Sequence, residues 1–424
     1  MEQTDFYDLL SDLTLDEVFR AYFDCRRRKR RSLSSLKFEA EYERNLMTLY
    51  QEIVHRIYRP TVSQAFIVKK PVIREVFAAH FRDRIVHHLV MGRLIPIFER
   101  IFSDCSYSCR LKKGTLYGIR SVADMMRECS NLYQRDCYVL RLDIHGFFFH
   151  IDKNILYRKV KQVVDSCYFH RNKSTMIYLV QQILSDNPVT HCHIRGDKDD
   201  WQDLPKNKSL FFSGSHRGLP IGNLTSQIFA NFYLNDFDHF VAGLDTNLYY
   251  GRYVDDLVLI HPDADYLMRV REQIQVYLKT ELGLSLHPRK VSLQHYAKGF
   301  AFIGAYIKPG CIYPGKRLRV SFYRKMTALN GEWAHTRRPA EDKVLIQKTL
   351  SSINSYFGLL KYFNAWRVKL KGWNLLSEEI RACFQTDESL KKVWIKPELK
   401  RALLKQSRDK LFAPLRRHRR RYRR

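Results

Sequence analysis

Two neighbouring carboxylates, Asp255 and Asp256, lie between the β-prone runs Leu248-Tyr249-Tyr250 and Leu257-Val258-Leu259-Ile260. Aspartate is a poor strand residue, and two side by side repel each other unless a cation compensates. A hairpin turn is the plain reading of such a centre. The pair lacks the Asn-Gly or Asp-Gly chemistry of a two-residue turn, however, which favours hard divalent cations seeking carboxylate oxygen. A third acid supports this: Tyr138-Val139-Leu140-Arg141-Leu142 reads as a strand ending at Asp143, and Gly146 permits a sharp turn into Phe147-Phe148-Phe149. Acids delivered by separate strands can hold a pair of Mg²⁺ ions about 3.5–4 Å apart, stabilising the attacking and leaving oxygens of an in-line phosphoryl displacement. The chemistry implied is nucleotidyl transfer.

Between these acids in the chain runs Arg217-Gly218-Leu219-Pro220-Ile221-Gly222-Asn223-Leu224-Thr225-Ser226-Gln227. Gly218, Pro220 and Gly222 define a tight loop. Asn223 or Thr225 can cap a following helix whose apolar face is Ile228, Phe229, Phe232, Tyr233, Phe237, Phe240 and Val241. Small residues at a helix entrance let its backbone approach a flat or anionic ligand.

The elements that must position these residues belong to a strongly basic chain. Its 424 residues carry 73 Lys and Arg against 44 Asp and Glu, a net charge of +29. That excludes an ordinary near-neutral enzyme of small metabolites and calls for an anionic partner, phosphate backbones before membrane surfaces. With 45% hydrophobic residues the chain must fold, so it is not a disordered basic tail. Three zones follow from charge and periodicity. Residues 1–60 form a helical, basic N-terminal extension: an acidic start, the block Arg26-Arg27-Arg28-Lys29-Arg30-Arg31, then an amphipathic helix over Phe38–Tyr58 with Leu46, Leu49, Ile53 and Ile57 on one face. Residues 61–310 mix short strands with helices and hold the candidate chemistry. The remainder is mostly helical over 311–405 and ends in an Arg-rich tail, 406–424, either a solvated tail or a binding arm.

Location is bounded by what is missing from the pattern. The first twenty residues are acidic, the reverse of a secretory or transit peptide, so the mature chain is expected to start at Met1. The least charged stretch, 218–235, carries Pro220, Asn223, Thr225, Ser226, Gln227 and Asn231, so no membrane span is expected. Nine scattered cysteines suit a reducing cytoplasm. Cys105 with Cys109, and His191-Cys192-His193, lack a second half at zinc spacing and read as loop or core residues.

The sequence resembles reverse transcriptases of bacteria, archaea and their phages. LDIHGFFFHID at 142–152 is similar to motif A, GLPIGNLTSQ at 218–227 to motif B and YVDD at 253–256 to motif C. His287-Pro288-Arg289-Lys290 resembles motif D, and Gly299-Phe300 with Phe302-Ile303-Gly304 the primer-grip hairpin. The resemblance implies an α+β right-hand polymerase: fingers and palm, with an antiparallel sheet, over 61–310 and a helical thumb over 311–405. It implies Asp143, Ile144, Asp255 and Asp256 as the binding set for two Mg²⁺ ions, with Mn²⁺ a substitute, and Lys290 as proton donor to the leaving pyrophosphate. It further implies that Lys70 and Arg74 meet the incoming deoxynucleotide triphosphate, unless they are solvated surface, and that Phe148 gates against a ribose 2′-OH. Phe147 and Phe149 read as core. Ile221, Gly222 and Gln227 complete the nucleotide site, and Arg82, Arg84, Phe302, Gly304 and Lys361 face primer and template.

Within the family, Ile221-Gly222, Ser226-Gln227, YVDD and SSINSYFGLLKYFNAW at 351–366 look like the enzymes of diversity-generating retroelements. These make error-prone cDNA at template adenines, for mutagenic retrohoming, with an accessory protein oligomer as partner. Ile221 cannot donate the hydrogen bonds of the Gln found in other relatives, so the nascent base pair should be held more loosely. Group II intron-like, retron and phage-defence enzymes are the alternatives, and an inactive, polymerase-shaped RNA-binding scaffold is a second. The thumb-like segment Ile346–Lys371 reads as helical, with Leu350, Ile353, Phe357, Leu360 and Phe363 apolar and Lys361, Arg367, Lys369 and Lys371 available to phosphates.

Overall fold

Thr14 opens the first helix with a capping box: its side chain accepts from the Glu17 N–H while Glu17 reaches back to the Thr14 N–H, starting α1 (Leu15–Arg26). The computed structural model describes residues 13–27 and 32–405. The acidic residues within 1–12, positions 28–31 of the basic block and the Arg-rich tail at 406–424 lie outside the described residues. Of that block, Arg26 pairs with Glu39 and Arg27 with Asp24.

The single helix expected over Phe38–Tyr58 is two, α2 (Leu33–Glu39) and α3 (Tyr42–Val54), because Glu41 leaves helical space at φ −134°, ψ 45°. Leu46, Leu49 and Ile53 are buried as expected, whereas Ile57 lies past the helix end and is 64% exposed. Arg56 takes a left-handed φ of 60° there. The chain reverses, and it is Tyr58 that turns inward, donating its hydroxyl to Asp83 at 3.0 Å.

Next come the hairpin β1 (Ser63–Val68) and β2 (Arg74–Ala78), then α4 (Phe81–Ile101), α5 (Thr115–Cys129) and β3 (Tyr138–Asp143). Helices α6 (Lys153–Cys167) and α7 (Lys173–Ser185) lead to the short strand β4 (Cys192–Ile194), which pairs parallel to β1. Then follow α8 (Leu224–Tyr233), α9 (Asn235–Ala242), β5 (Tyr249–Tyr253), β6 (Asp256–His261), α10 (Ala264–Leu282) and β7 (Ser292–His295). The helix expected to run from Leu224 through Val241 breaks at Leu234, yet its apolar positions are buried except Phe240, which is half-buried. Helix α4 is the centre of this core: it is apolar around most of its circumference and packs against both α1 and α8, where the Phe98 and Phe232 rings stack at 4.3 Å.

Strands β5, β6, β3 and β7 form one antiparallel sheet in the order β5-β6-β3-β7. This mixed architecture, with its antiparallel sheet, agrees with the α+β expectation. β6 is buried at every position but Asp256, because helices cover the sheet and only its open end reaches water.

The chain divides into two compact units between His295 and Tyr296. The second contains a meander of β8 (Phe300–Phe302), β9 (Ala305–Lys308) and β10 (Cys311–Pro314), helices α11 (Lys316–Ala334), α12 (Lys343–Leu360), α13 (Trp366–Asn374) and α14 (Glu378–Cys383), and the hairpin β11 (Phe384–Thr386)–β12 (Val393–Ile395). Its core gathers Phe322, Met326, Trp333, Ile353, Phe357 and Ile380. The helical pattern expected over Ile346–Lys371 is interrupted at 361–365. Lys369, expected to be available to phosphate, is buried: its ammonium donates to the Leu390 carbonyl at 3.1 Å. Among the described residues no helix is long and apolar enough to cross a membrane.

Candidate active site

The alternation of β3 delivers Asp143 to the end of the sheet, and register does the rest: Asp143 is the direct partner of Asp256 on β6. Tyr253 pairs with Asp256 across β5 and β6, so Val254 and Asp255 form a two-residue hairpin turn. The turn reading and the cation reading of Asp255-Asp256 are therefore compatible. Val254 supplies the positive φ of 58° such a turn needs, a costly conformation for a β-branched residue that its surroundings must hold. The main chain is tied down on both sides: the Ile144 N–H donates to the Asp255 carbonyl at 3.1 Å and the His287 N–H to the Asp143 carbonyl at 2.7 Å.

Charge at this end of the sheet is unbalanced. Burial and then the charge of Asp143 raise the Asp255 pKa, and surrounding protein, then Asp255 and Asp143, push Asp256 up to about 6. Asp256 itself is exposed to solvent at the open end of the sheet, beside the two carboxylates that repel its charge. Lys290 answers part of this charge, its Nζ lying 2.7 Å from Asp143 Oδ2. Among the described residues no three His, Cys, Asp or Glu side chains are drawn around a common point. The set still fits hard divalent cations in its chemistry, since the carboxylate donors are all oxygen and carry negative charge that one ammonium does not neutralise.

Two features here escaped sequence reasoning. The first is a buried ion pair beneath the turn. Arg252 and Asp238 both have side chains 0% exposed, with Arg252 Nε donating to Asp238 Oδ1 at 2.7 Å and Nη2 to Oδ2 at 2.5 Å. The Tyr250 hydroxyl also donates to Asp238, at 2.8 Å. The remaining guanidinium protons reach the Val254 carbonyl at 3.1 Å and the Ser106 hydroxyl at 3.1 Å, and Ser108 Oγ accepts from the Val254 N–H at 3.2 Å. Burial opposes the charge on Arg252, but Asp238 outweighs it and the guanidinium pKa is raised. The second is a histidine group: the His145 ring lies 5.6 Å from that of His150 and 5.4 Å from that of His287. The HxxxxH spacing of 145 and 150 was the only sequence signal for it.

The glycine loop is built as a strap. Its Gly218 and Leu219 N–H groups donate to the Ile151 and Phe148 carbonyls at 2.9 and 2.8 Å, and its Ile221 carbonyl accepts from the Phe77 N–H of β2 at 2.9 Å. Phe148, on a one-turn helix at Phe147–His150, is thus tied to Leu219, two residues before Ile221 in the loop. A Cβ on Gly222 would stand 2.8 Å from Val76 Cγ1 and 3.2 Å from the Phe77 carbonyl oxygen, at a φ of +122°. Asn223 occupies the cap position of α8 without capping it; its Oδ1 instead accepts from the Ala79 N–H at 3.2 Å. Phe147 is buried as expected, and Phe149 packs half-buried beside Ala65, Phe77 and Leu210.

The other predicted residues are spread more widely. Lys70 is exposed in the β1–β2 turn; Arg74 begins β2, exposed, and its charge is felt at Asp255. Gln227 is exposed on α8. Arg82 pairs with Glu52 and lies over the Tyr58 ring, and Arg84 donates to the Ala79 carbonyl at 2.8 Å, so both are engaged within the protein. In the second unit, Ile303 and Gly304 form the two-residue β8–β9 turn, Phe302 beside it is buried, and Lys361 is exposed just past α12.

Residues 68–307 match the family described as reverse transcriptase (RNA-dependent DNA polymerase). The chain is 23% identical over 293 residues to Protein YkfC of Escherichia coli (strain K12), covering 61% of this chain and 70% of that one. Among solved structures it is similar to apo telomerase from Candida tropicalis, at TM-score 0.47 and 10% identity over 75% of this chain and 57% of that chain. It is similar also to the same telomerase truncated from the C-terminal domain, at TM-score 0.43 and 13% identity over 60% of this chain and 56% of that chain. The chain thus spans a little over half the length of these telomerase chains.

Proposed function

The chain belongs to the reverse transcriptase (RNA-dependent DNA polymerase) family, and from that premise we propose that it copies a template RNA into cDNA from deoxynucleotide triphosphates. The observation that carries the reading is the pairing of Asp143 with Asp256 beside the Asp255 turn at the open end of the sheet. Asp143, Asp255 and Asp256, with the Ile144 main chain, would hold the metal ions. A pair of Mg²⁺ ions, or Mn²⁺ in their place, would supply charge neutralisation for the attacking 3′ hydroxyl and the leaving pyrophosphate.

The protein's own groups have distinct tasks in this reading. Lys290, beside Asp143, gives its proton to the leaving pyrophosphate. Lys70 and Arg74 meet the triphosphate, and Phe148 excludes a ribose 2′-OH. The β1–β2 hairpin and its neighbours are then fingers, the four-stranded sheet the palm, and the helices of the second unit the thumb, with Phe302, Gly304 and Lys361 toward primer and template. Purified protein given an RNA template, an annealed DNA primer, Mg²⁺ and dNTPs should extend the primer, and an RNA-binding scaffold should not.

The diversity-generating retroelement type is supported by Ile221, half-buried and unable to donate a side-chain hydrogen bond to the nucleotide. Deep sequencing of cDNA should show misincorporation concentrated opposite template adenine and reduced in Ile221→Gln; equal error rates in the two proteins would refute this. The net charge of +29 suits a template RNA and an accessory oligomer with acidic or nucleic-acid-binding character, in a reducing cytoplasm.

A further inference from the structure

In the second unit, the segment that joins α12 to α13 borders a cleft of about 980 Å³, lined among others by Tyr313, Tyr362, Trp366, Lys361, Arg367 and Lys391. Among the described residues its lining contains no Asp or Glu. Two smaller clefts adjoin it through Tyr313 and Arg367 and extend the basic, aromatic character to Tyr306, Lys308 and Arg319 on one side and Lys371 on the other. The aromatic rings are unusually open for their size: Trp366 is 52% exposed, Tyr362 41% and Tyr313 39%.

These rings are held in place. The Asn364 N–H donates to the Ile312 carbonyl at 2.7 Å, and the Ile312 N–H returns a bond to Asn364 Oδ1 at 2.8 Å. The Trp366 indole N–H donates to the Glu388 carbonyl at 3.2 Å, which fixes one edge of the indole. The nearby acid Asp387 is turned into its own loop, where it accepts from Ser389 and from the Lys391 N–H. The fixed indole of Trp366 and the solvent-facing phenol of Tyr362, one face of which Lys361 Nζ approaches to 4.8 Å of the ring centroid, form a stacking platform with a cationic, anion-attracting rim.

We infer that this cleft binds an unpaired stretch of RNA, its bases stacked on Trp366 and Tyr362 and its phosphates met by Lys361, Arg367 and Lys391. The inference rests on the RNA-copying function proposed above. Exposed ring faces can stack only on bases that are splayed out, which a duplex does not offer. The unpaired strand that an RNA-copying enzyme handles is its template, since the growing product is paired as it forms. A protein partner would have to answer the exposed Lys361, Arg367 and Lys391 with acids of its own before it could use the apolar surface between them.

The test is fluorescence anisotropy on the full chain, with labelled unstructured single-stranded RNA and an RNA–DNA duplex of equal length as separate probes. Trp366→Ala and Tyr362→Ala should each weaken single-strand binding roughly tenfold, leaving duplex binding and the melting temperature unchanged, and Trp366→Phe should restore most of the loss. Lys391→Ala should lower the salt slope for the single strand by about 0.7. Wild-type single-strand affinity in both alanine variants, or an equal loss for the duplex, would overturn the inference. Should wild type fail to extend primers while the alanine variants still lose single-strand binding, the polymerase reading falls and the cleft stands as an RNA site. If primers are extended but the variants bind as wild type, the cleft alone is refuted.

Discussion

Arg252 donates to the turn that bears Asp255, and Asp238→Asn examines that support. With Asp238 neutral, Arg252 keeps its charge in a site 0% exposed, with only neutral oxygens, those of Ser106, Asn231, Val254 and the new amide, as partners. Breaking one side of a buried pair costs about 3–5 kcal/mol, a large part of the roughly 5–15 kcal/mol that stabilises a typical domain. The first unit should therefore melt well below wild type. Adding Arg252→Met removes the stranded charge, while Asn at 238 can still accept from the Tyr250 hydroxyl; the double variant should regain most of the stability. It should not regain turnover, because the donor to the Val254 carbonyl is gone and the turn bearing Asp255 is free to relax from its positive φ. Thermal melts paired with single-nucleotide incorporation rates separate the two effects. An Asp238→Asn protein as stable as wild type, or a double variant that recovers full turnover along with stability, would refute the positioning role.

Three further outcomes follow from the site. Asp256, with its pKa raised to about 6, loses its contribution to stability as pH rises through that value and keeps it below the unfolded value near 3.8; the full shift corresponds to ~3 kcal/mol, cut to about 1 kcal/mol by solvent around the exposed carboxylate. Asp256→Asn should accordingly be the more stable protein in EDTA at pH 8 and equal to wild type near pH 4, and an unchanged difference across that range would count against carboxylate repulsion. Gly222→Ala should lower the urea midpoint by an amount equivalent to about 1–3 kcal/mol, because it adds strain at φ +122° to a clash with Val76; a neutral result would mean the loop is not strapped to β2. Lys290→Met should shift the melting temperature little, its pair being half-exposed, while slowing nucleotide addition by about 10²–10⁴ if the ammonium is the proton donor.

What the sequence disclosed and what it hid divide along range. β3 ending at Asp143, the two β runs around Asp255-Asp256 and the glycine loop were legible because alternation, paired acids and small residues are local signals, whereas the two-residue turn at Val254-Asp255 was argued against because it carries no glycine. The breaks at Glu41 and Leu234 were not, since each apolar stripe continues across a break that only packing against α4 and its neighbours explains. Ile57 and Lys369 were misplaced for the same reason: one is expelled by a single left-handed residue, and the other is drawn in by a distant carbonyl. The Arg252–Asp238 pair spans two elements fourteen residues apart, and nothing in either local pattern marks a buried charge. The relation of Asp143 to Asp256 was readable as chemistry but became a register only in the sheet.

The central claim is that Asp143, Asp255 and Asp256 act as one metal-dependent nucleotidyl-transfer site. Single-nucleotide addition to a DNA primer annealed to RNA, measured with Mg²⁺ for wild type and for Asp143→Asn, Asp255→Asn and Asp256→Asn, tests it most directly. The account predicts extension by wild type and a loss of at least about 10³ in each folded variant, since each removes a carboxylate from the set that would hold the ions. A folded wild-type protein that adds nothing, or any one of the three variants adding nucleotide at the wild-type rate, would contradict it.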